Sequence, residues 1–149
     1  MTDPVHQDGV ALIQRFEGLR LAPYLCPAKV WTIGYGATYG SDGRRVTRHT
    51  RSITEDEADA LLTRDLGRFA AGVDRLVSVG LDPEQRAALV SFAFNLGLGA
   101  LKASTLLRRV NGLEWGDVPT QFRRWVYGGG QRLPGLVTRR EAEVALWLT

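Results

Sequence analysis

Val10, Leu12, Ile13, Phe16 and Leu19 fall on one stripe of period 3.6 and predict a first helix, with Asp8 as its N-cap and Gly18 loosening its last turn. The texture then changes. From Leu21 to Thr50, Pro23, Pro27, Gly34, Gly36, Gly40 and Gly43 interrupt the β-branched and aromatic run Val30, Trp31, Thr32, Ile33 and Tyr35, a pattern of short strands and tight turns. Ser41-Asp42-Gly43 reads as a hairpin turn. From residue 54 the chain reads as helical. Thr54 with Glu57 forms a capping box before Ala58, Leu61, Leu62, Leu66 and Phe69. Asp82-Pro83 opens a helix that is apolar on nearly every side and closes at Gly97, so it is expected to be the most buried element. Ser104 caps a short helix ending at Asn111-Gly112, and Pro119 to Tyr127 reads as another. Gly128-Gly129-Gly130 reads as a loop, and Thr138 with Glu141 as a capping box for a last helix reaching Leu148. The segregation of elements predicts an α+β fold with a small N-terminal β-lobe and a larger helical C-terminal lobe. A ligand site is expected in the cleft between them.

A chain of 149 residues suits one domain, here taken as 1–149, with lobes of approximately 10–53 and 77–149 and a connecting helix of approximately 54–76. Apolar residues at 44% and charged residues at 23% exclude collagen, coiled coil and disorder. Cys26 is the only cysteine, which excludes a disulfide scaffold. The net charge of +3 favours approach to an anionic polymer without choosing among nucleic acid, membrane surface and cell wall. No run of basic residues exceeds two, which argues against a nucleic-acid partner. The polar start Met1-Thr2-Asp3-Pro4 does not resemble a signal peptide. The most apolar stretch, Ala87 to Leu101, is interrupted by Ser91, Asn95, Gly97 and Gly99, so no membrane insertion is expected. His6, His49 and Cys26 fit no zinc spacing, and the glycines fit neither a dinucleotide nor a Walker motif, so neither metal nor cofactor is expected.

Three residues carry candidate chemistry. Glu17 ends the first helix beside Phe16 and Leu19. A carboxyl among apolar side chains favours its neutral form and can donate a proton near neutral pH, although a helix-end glutamate in solvent has the same sequence signature. Cys26 lies near Arg20 and Lys29, which favour a thiolate, yet a lone cysteine is ordinarily a small buried hydrophobe. Thr32 sits in a strand, where alternation groups it with Val30 and Gly34 and puts Trp31, Ile33 and Tyr35 on the other face. Together they say more: Glu17, eight residues, Cys26, five residues, Thr32, then Ile33-Gly34-Tyr35-Gly36. This spacing resembles the phage-type lysozymes, the endolysins of glycoside hydrolase family 24. The resemblance continues in order through Phe92-Ala93-Phe94-Asn95-Leu96-Gly97, Ser104-Thr105-Leu106-Leu107, Gln121-Phe122 to Trp125, and Gly135-Leu136 with Arg139-Arg140 and Glu143.

The resemblance implies a lysozyme-like fold and hydrolysis of the β-1,4 bond between N-acetylmuramic acid and N-acetylglucosamine in bacterial peptidoglycan. It implies Glu17 as the general acid, Cys26 in the place of the second catalytic group, and Thr32 positioning the attacking water. Much of the family has Asp where this chain has Cys26, so that residue is expected to act as base or nucleophile. A free thiol near its ordinary value of about 8.5 would be mostly protonated at neutral pH. Arg140 or Arg139 resembles the arginine that pairs with the catalytic glutamate. Tyr35 and Arg140 are the candidate substrate contacts, and Trp31, Tyr39, Trp125 and Tyr127 could line a sugar cleft. Asn95 reads as a structural hydrogen-bonding residue. The implied protein is a monomer, made in the host bacterial cytoplasm and reaching the wall across the inner membrane with the help of a holin. A lytic transglycosylase, which leaves 1,6-anhydro ends, and a non-catalytic cell-wall binding module are the competing readings.

Overall fold

The computed structural model describes residues 3–149. The helices are α1 (Gln7–Glu17), α2 (Glu55–Leu76), α3 (Pro83–Leu96), α4 (Leu98–Ala103), α5 (Thr105–Asn111), α6 (Val118–Arg123) and α7 (Pro134–Trp147), with a 3₁₀ turn at Trp115–Asp117. The strands are β1 (Arg20–Leu25), β2 (Trp31–Gly34), β3 (Tyr127–Gly128) and β4 (Gln131–Arg132). This is the expected mixture of many helices and little sheet. The chain divides into two compact units, one of Ile13–Gly67 and one of the residues up to Leu12 with Arg68–Thr149. The divisions fall inside α1 and α2, whereas the sequence pattern places the lobe edges at the ends of the connecting helix.

In the unit Ile13–Gly67, β1 and β2 pair antiparallel, with Tyr24 opposite Thr32 and Leu25 opposite Trp31, and an irregularity between Arg20 and Tyr24. The expected hairpin turn forms after Tyr39: Gly40 donates to the Arg44 carbonyl at 2.9 Å, and Asp42 accepts from the Arg44 backbone N–H at 2.9 Å. Ile33, Ala37, Val46 and Leu61 make a small core, with Trp31 and Ile53 packed on it. The Thr54–Glu57 capping box is realised in both directions, each bond 3.1 Å, so two N–H groups at the start of α2 are satisfied reciprocally.

In the other unit α3 is the buried centre: Ala87, Ala88, Leu89, Val90, Phe92 and Ala93 have no exposed surface. It packs chiefly against α7. Phe92 meets Phe122 and Trp125 edge-on, at ring distances of 5.9 and 5.4 Å.

Three boundaries differ from the sequence expectation, each for a local reason, and one helix is additional. Asp8 lies inside the first turn of α1, and the His6 ring accepts from the Asp8 N–H at 3.1 Å. α7 begins at Pro134, not near Thr138, whose hydroxyl donates back to the Pro134 carbonyl at 3.1 Å while Glu141 pairs with Arg123. α6 stops at Arg123, because the next residues turn into a two-residue hairpin, β3–β4, around Gly129 and Gly130. Gly97 ends α3 as expected, but a further short helix, α4, follows at once.

Candidate active site

Two of the three candidate residues are brought together by one tight turn. After β1 the chain reverses through Cys26–Val30, closed by Cys26 N–H donating to the Val30 carbonyl at 3.1 Å and Lys29 N–H donating to the Cys26 carbonyl at 2.7 Å. Lys29 adopts the left-handed conformation, φ 61°, which the reversal requires of it. The turn sets Cys26 beside Thr32. The Thr32 hydroxyl donates to the Val30 carbonyl at 2.9 Å and is also one of the groups that hydrogen-bonds the Cys26 thiol. Thr32 is nearly enclosed, at 4% exposure, whereas Cys26 is partly open to solvent.

The backbone N–H of Val30 holds the Cys26 thiol below its ordinary value, with smaller help from Ala28 N–H, the Thr32 hydroxyl and its own N–H, and opposition from partial burial. Hydrogen bonds aimed at sulfur favour the thiolate, which is the form able to accept a proton or attack carbon. The shift runs in the direction that increases the thiolate share over that of a free thiol. Thr32 has a single hydroxyl proton. With that proton on the Val30 carbonyl, its lone pairs can accept from water. Turned towards sulfur, it stabilises the thiolate.

Glu17 is the last residue of α1 and is half-buried. Gly18 follows with φ 71° and donates its N–H to the Gln14 carbonyl at 3.0 Å, a left-handed helix end that only glycine adopts cheaply. A Cβ added to Gly36 would stand 3.4 Å from Glu17 Oε1, so the Gly34-Tyr35-Gly36 turn comes up against the carboxyl. Gly36 has φ 95°, a second reason for glycine there. Tyr24, which the sequence reading passed over, belongs to the same group. Burial pushes its hydroxyl up, Cys26 and Glu17 push it further, and the Arg20 guanidinium opposes them. Arg20 lies over the Tyr24 ring at 4.8 Å. In the strand pair Tyr24 stands opposite Thr32, a register that only the folded sheet reveals.

The two candidate substrate contacts are placed differently. Tyr35 is 8% exposed, and its hydroxyl is raised by burial and by Asp59 and Glu55. Arg140 is fully buried. It ion-pairs with Glu143 at 2.7 Å, donates to Asn95 Oδ1 at 2.7 Å and to the Trp125 carbonyl at 3.3 Å, and lies over the Phe92 ring. It has no surface to offer a ligand, which corrects the expectation of a substrate contact. Glu143 also accepts from the Ser91 hydroxyl and sits 3.5 Å from Arg139. Burial pushes the Glu143 carboxyl up, and Arg140, Ser91 and Arg139 pull it back. Asn95 is the structural hydrogen-bonding residue that the sequence suggested.

Among the described residues, no cluster of three His, Cys, Asp or Glu could hold a metal ion, and no helix is long and apolar enough to cross a membrane.

A family model described as phage lysozyme matches residues 14–143. The chain is 44% identical over 147 residues to an endolysin of Bacillus phage B103, covering 97% of this chain and 54% of that relative. It is 37% identical over 147 residues to an endolysin of Acyrthosiphon pisum secondary endosymbiont phage 1, covering 96% of this chain and 97% of that relative. It thus spans about half the length of the first and nearly all of the second. Among solved structures it is similar to the muramidase domain of SpmX from Asticaccaulis excentricus, with TM-score 0.84, 37% identity and 97% of each chain covered. It is also similar to an endolysin from Escherichia coli O157:H7 phage FAHEc1, with TM-score 0.88, 29% identity, and 99% of this chain and 96% of that one covered.

Proposed function

Because this chain belongs to the phage lysozyme family, we propose that it is a muramidase that hydrolyses the β-1,4 bond between N-acetylmuramic acid and N-acetylglucosamine in bacterial peptidoglycan. Glu17 donates its proton to the glycosidic oxygen as the bond breaks. The Cys26 thiolate takes a proton from water while that water's oxygen attacks the anomeric carbon, and the Thr32 hydroxyl holds the water in line. In the covalent variant, Cys26 sulfur attacks the anomeric carbon and water then displaces it. Either route ends with a reducing N-acetylmuramic acid, and proton exchange with solvent restores the protonated Glu17 and the thiolate.

The observation that carries this reading is the lowered Cys26 thiol beside the Thr32 hydroxyl, in the same compact unit as Glu17. A group able to take a proton from water is what a hydrolase needs and a transglycosylase does not. The reading includes a monomer acting on one glycan strand, and a holin as the partner that gives access to the wall.

The test is dye release from purified cell wall, with mass spectrometry of the products. Release of reducing ends by the parent chain, with Glu17→Gln slower by roughly 100- to 10,000-fold, is expected. Predominantly 1,6-anhydro ends would establish a transglycosylase instead. Wall binding without release would establish a binding module.

A further inference from the structure

A cavity of about 630 Å³ opens in the unit Ile13–Gly67, walled by the turn after Tyr39, by residues 44–53 and by the first half of α2. Small-molecule sites are typically about 300–1,000 Å³. Ile33 lines it, and successive strand residues face opposite sides of a sheet, so the cavity belongs to the strand face away from Thr32. Its chemistry is two-sided. Its apolar floor is Ile53 and Ala60, laid over Ile33 and Leu61, which are almost wholly enclosed in the small core. Arginines supply the rim.

The acids on the wall are already engaged. Asp42 accepts from the Arg44 backbone N–H at 2.9 Å. Glu57 accepts from Thr54 N–H at 3.1 Å and pairs with Arg51 at 3.2 Å. Arg64 donates to the Gly40 and Tyr39 carbonyls at 2.7 and 2.9 Å and so holds the turn in place. Arg44 and Arg45 have no carboxylate partner among the described residues; Arg45 lies over the Tyr39 ring at 5.3 Å. Two exposed, uncompensated guanidiniums thus stand at the mouth of an apolar hollow.

We propose that this cavity binds an anionic phospholipid, one acyl chain lying along Ile53 and Ala60 and the phosphate held by Arg44 and Arg45. A free phosphate would leave the floor unused. A zwitterionic lipid would bring its own cation to a mouth that already carries two. A bound lipid would hold the chain at a membrane surface while leaving the opposite strand face, with Thr32, open. The inference does not depend on the muramidase reading.

The test titrates the full chain with 1-lauroyl lysophosphatidylglycerol below its micelle concentration, with glycerol 3-phosphate as the head alone and 1-lauroyl lysophosphatidylcholine as the zwitterionic counterpart. The anionic lysolipid is expected to bind at least about 30-fold more tightly than either comparator, and the double variant Arg44→Ala/Arg45→Ala to lose about 30-fold. Ala60 is exposed on the wall, so Ala60→Trp fills the hollow from outside the core and should abolish binding while leaving the melting temperature and wall lysis unchanged. A lysophosphatidylglycerol with a photoactivatable acyl chain should label the parent chain at Ile53, Ala60 or Leu61, which keeps the test decisive if Ala60→Trp folds poorly. Equal binding of glycerol 3-phosphate, equal binding of the zwitterionic lipid, or labelling confined to other residues would each overturn the proposal.

Discussion

Replacing Glu143 by glutamine tests the buried ion cluster with almost no change in volume. Both carboxyl oxygens lie close to cationic nitrogens. Oε1 lies 2.7 Å from Arg140 Nε, and Oε2 accepts from the Ser91 hydroxyl, with Arg140 Nη2 at 3.3 Å and Arg139 Nε at 3.5 Å. Whichever way a glutamine turns, its NH₂ comes up against Arg140 or the Ser91 hydroxyl, and the buried Arg140 loses the carboxylate 2.7 Å from its Nε. A unit-charge pair at this separation attracts by about 4–6 kcal/mol at an effective dielectric of 20. Desolvation offsets much of that while the pair is intact, but removing one partner leaves the other charge stranded, at a cost of about 3–5 kcal/mol. For a chain of this size each kcal/mol moves the melting temperature by about 2–4 °C, so Glu143→Gln should melt about 6–20 °C below the parent. Circular dichroism melts at neutral pH, with urea titrations to confirm an unchanged m-value, measure this directly. A drop of less than about 2 °C would refute the reasoning, because it would mean that the cluster neither needs the second acceptor nor depends on the negative charge.

Cys26→Ser should lose most wall-lysing activity and Cys26→Asp should keep much of it; a fully active serine variant would reduce Cys26 to packing. Hydrogen bonds lower the thiol, so iodoacetamide labelling should rise with pH to a plateau whose midpoint lies below that of a free cysteine peptide labelled alongside, and Thr32→Val should move that midpoint up. Gly36→Ala forces a side chain into φ 95° against Glu17, and is expected to cost about 1–3 kcal/mol in urea unfolding as well as activity. Thr54→Ala removes one half of the capping box and should cost about 1 kcal/mol by the same assay with activity intact.

Some of this could be read from the chain before any coordinates. The start of α2 and both ends of α3 were legible because each is marked by a residue with a mechanism: the Thr54 hydroxyl, Pro83 at a first turn, Gly97 past a last one. The start of α7 was not, because Thr138-x-x-Glu141 satisfies the spacing of a capping box from within a helix, where the hydroxyl bonds backwards. The hairpin β3–β4 is too short to show a period of two. At the candidate site, the nearness of Cys26 and Thr32 follows from one turn in one strand pair and was foreseeable. The lowering of the thiol depends on N–H groups whose direction only the folded turn fixes. The partners of Arg140 were hidden for a different reason: Glu143 is three residues away on the same helix, but Asn95 and Trp125 come from distant segments that packing alone unites.

The way the two units share the chain has a consequence for biosynthesis. Ile13–Gly67 is continuous in sequence, whereas the other unit needs the residues up to Leu12 as well as everything from Arg68 onward. A nascent chain therefore holds every residue of the unit carrying Glu17, Cys26 and Thr32 before any of Arg68–Thr149 is made. At about 5–20 residues per second, residues 68–149 follow over roughly 4–16 s. During that interval the segment before Ile13 must wait for partners that are made later. Stalling the ribosome far enough past Gly67 for residues 13–67 to clear its exit tunnel would show whether Cys26 labelling reaches that of the whole chain before α7 exists.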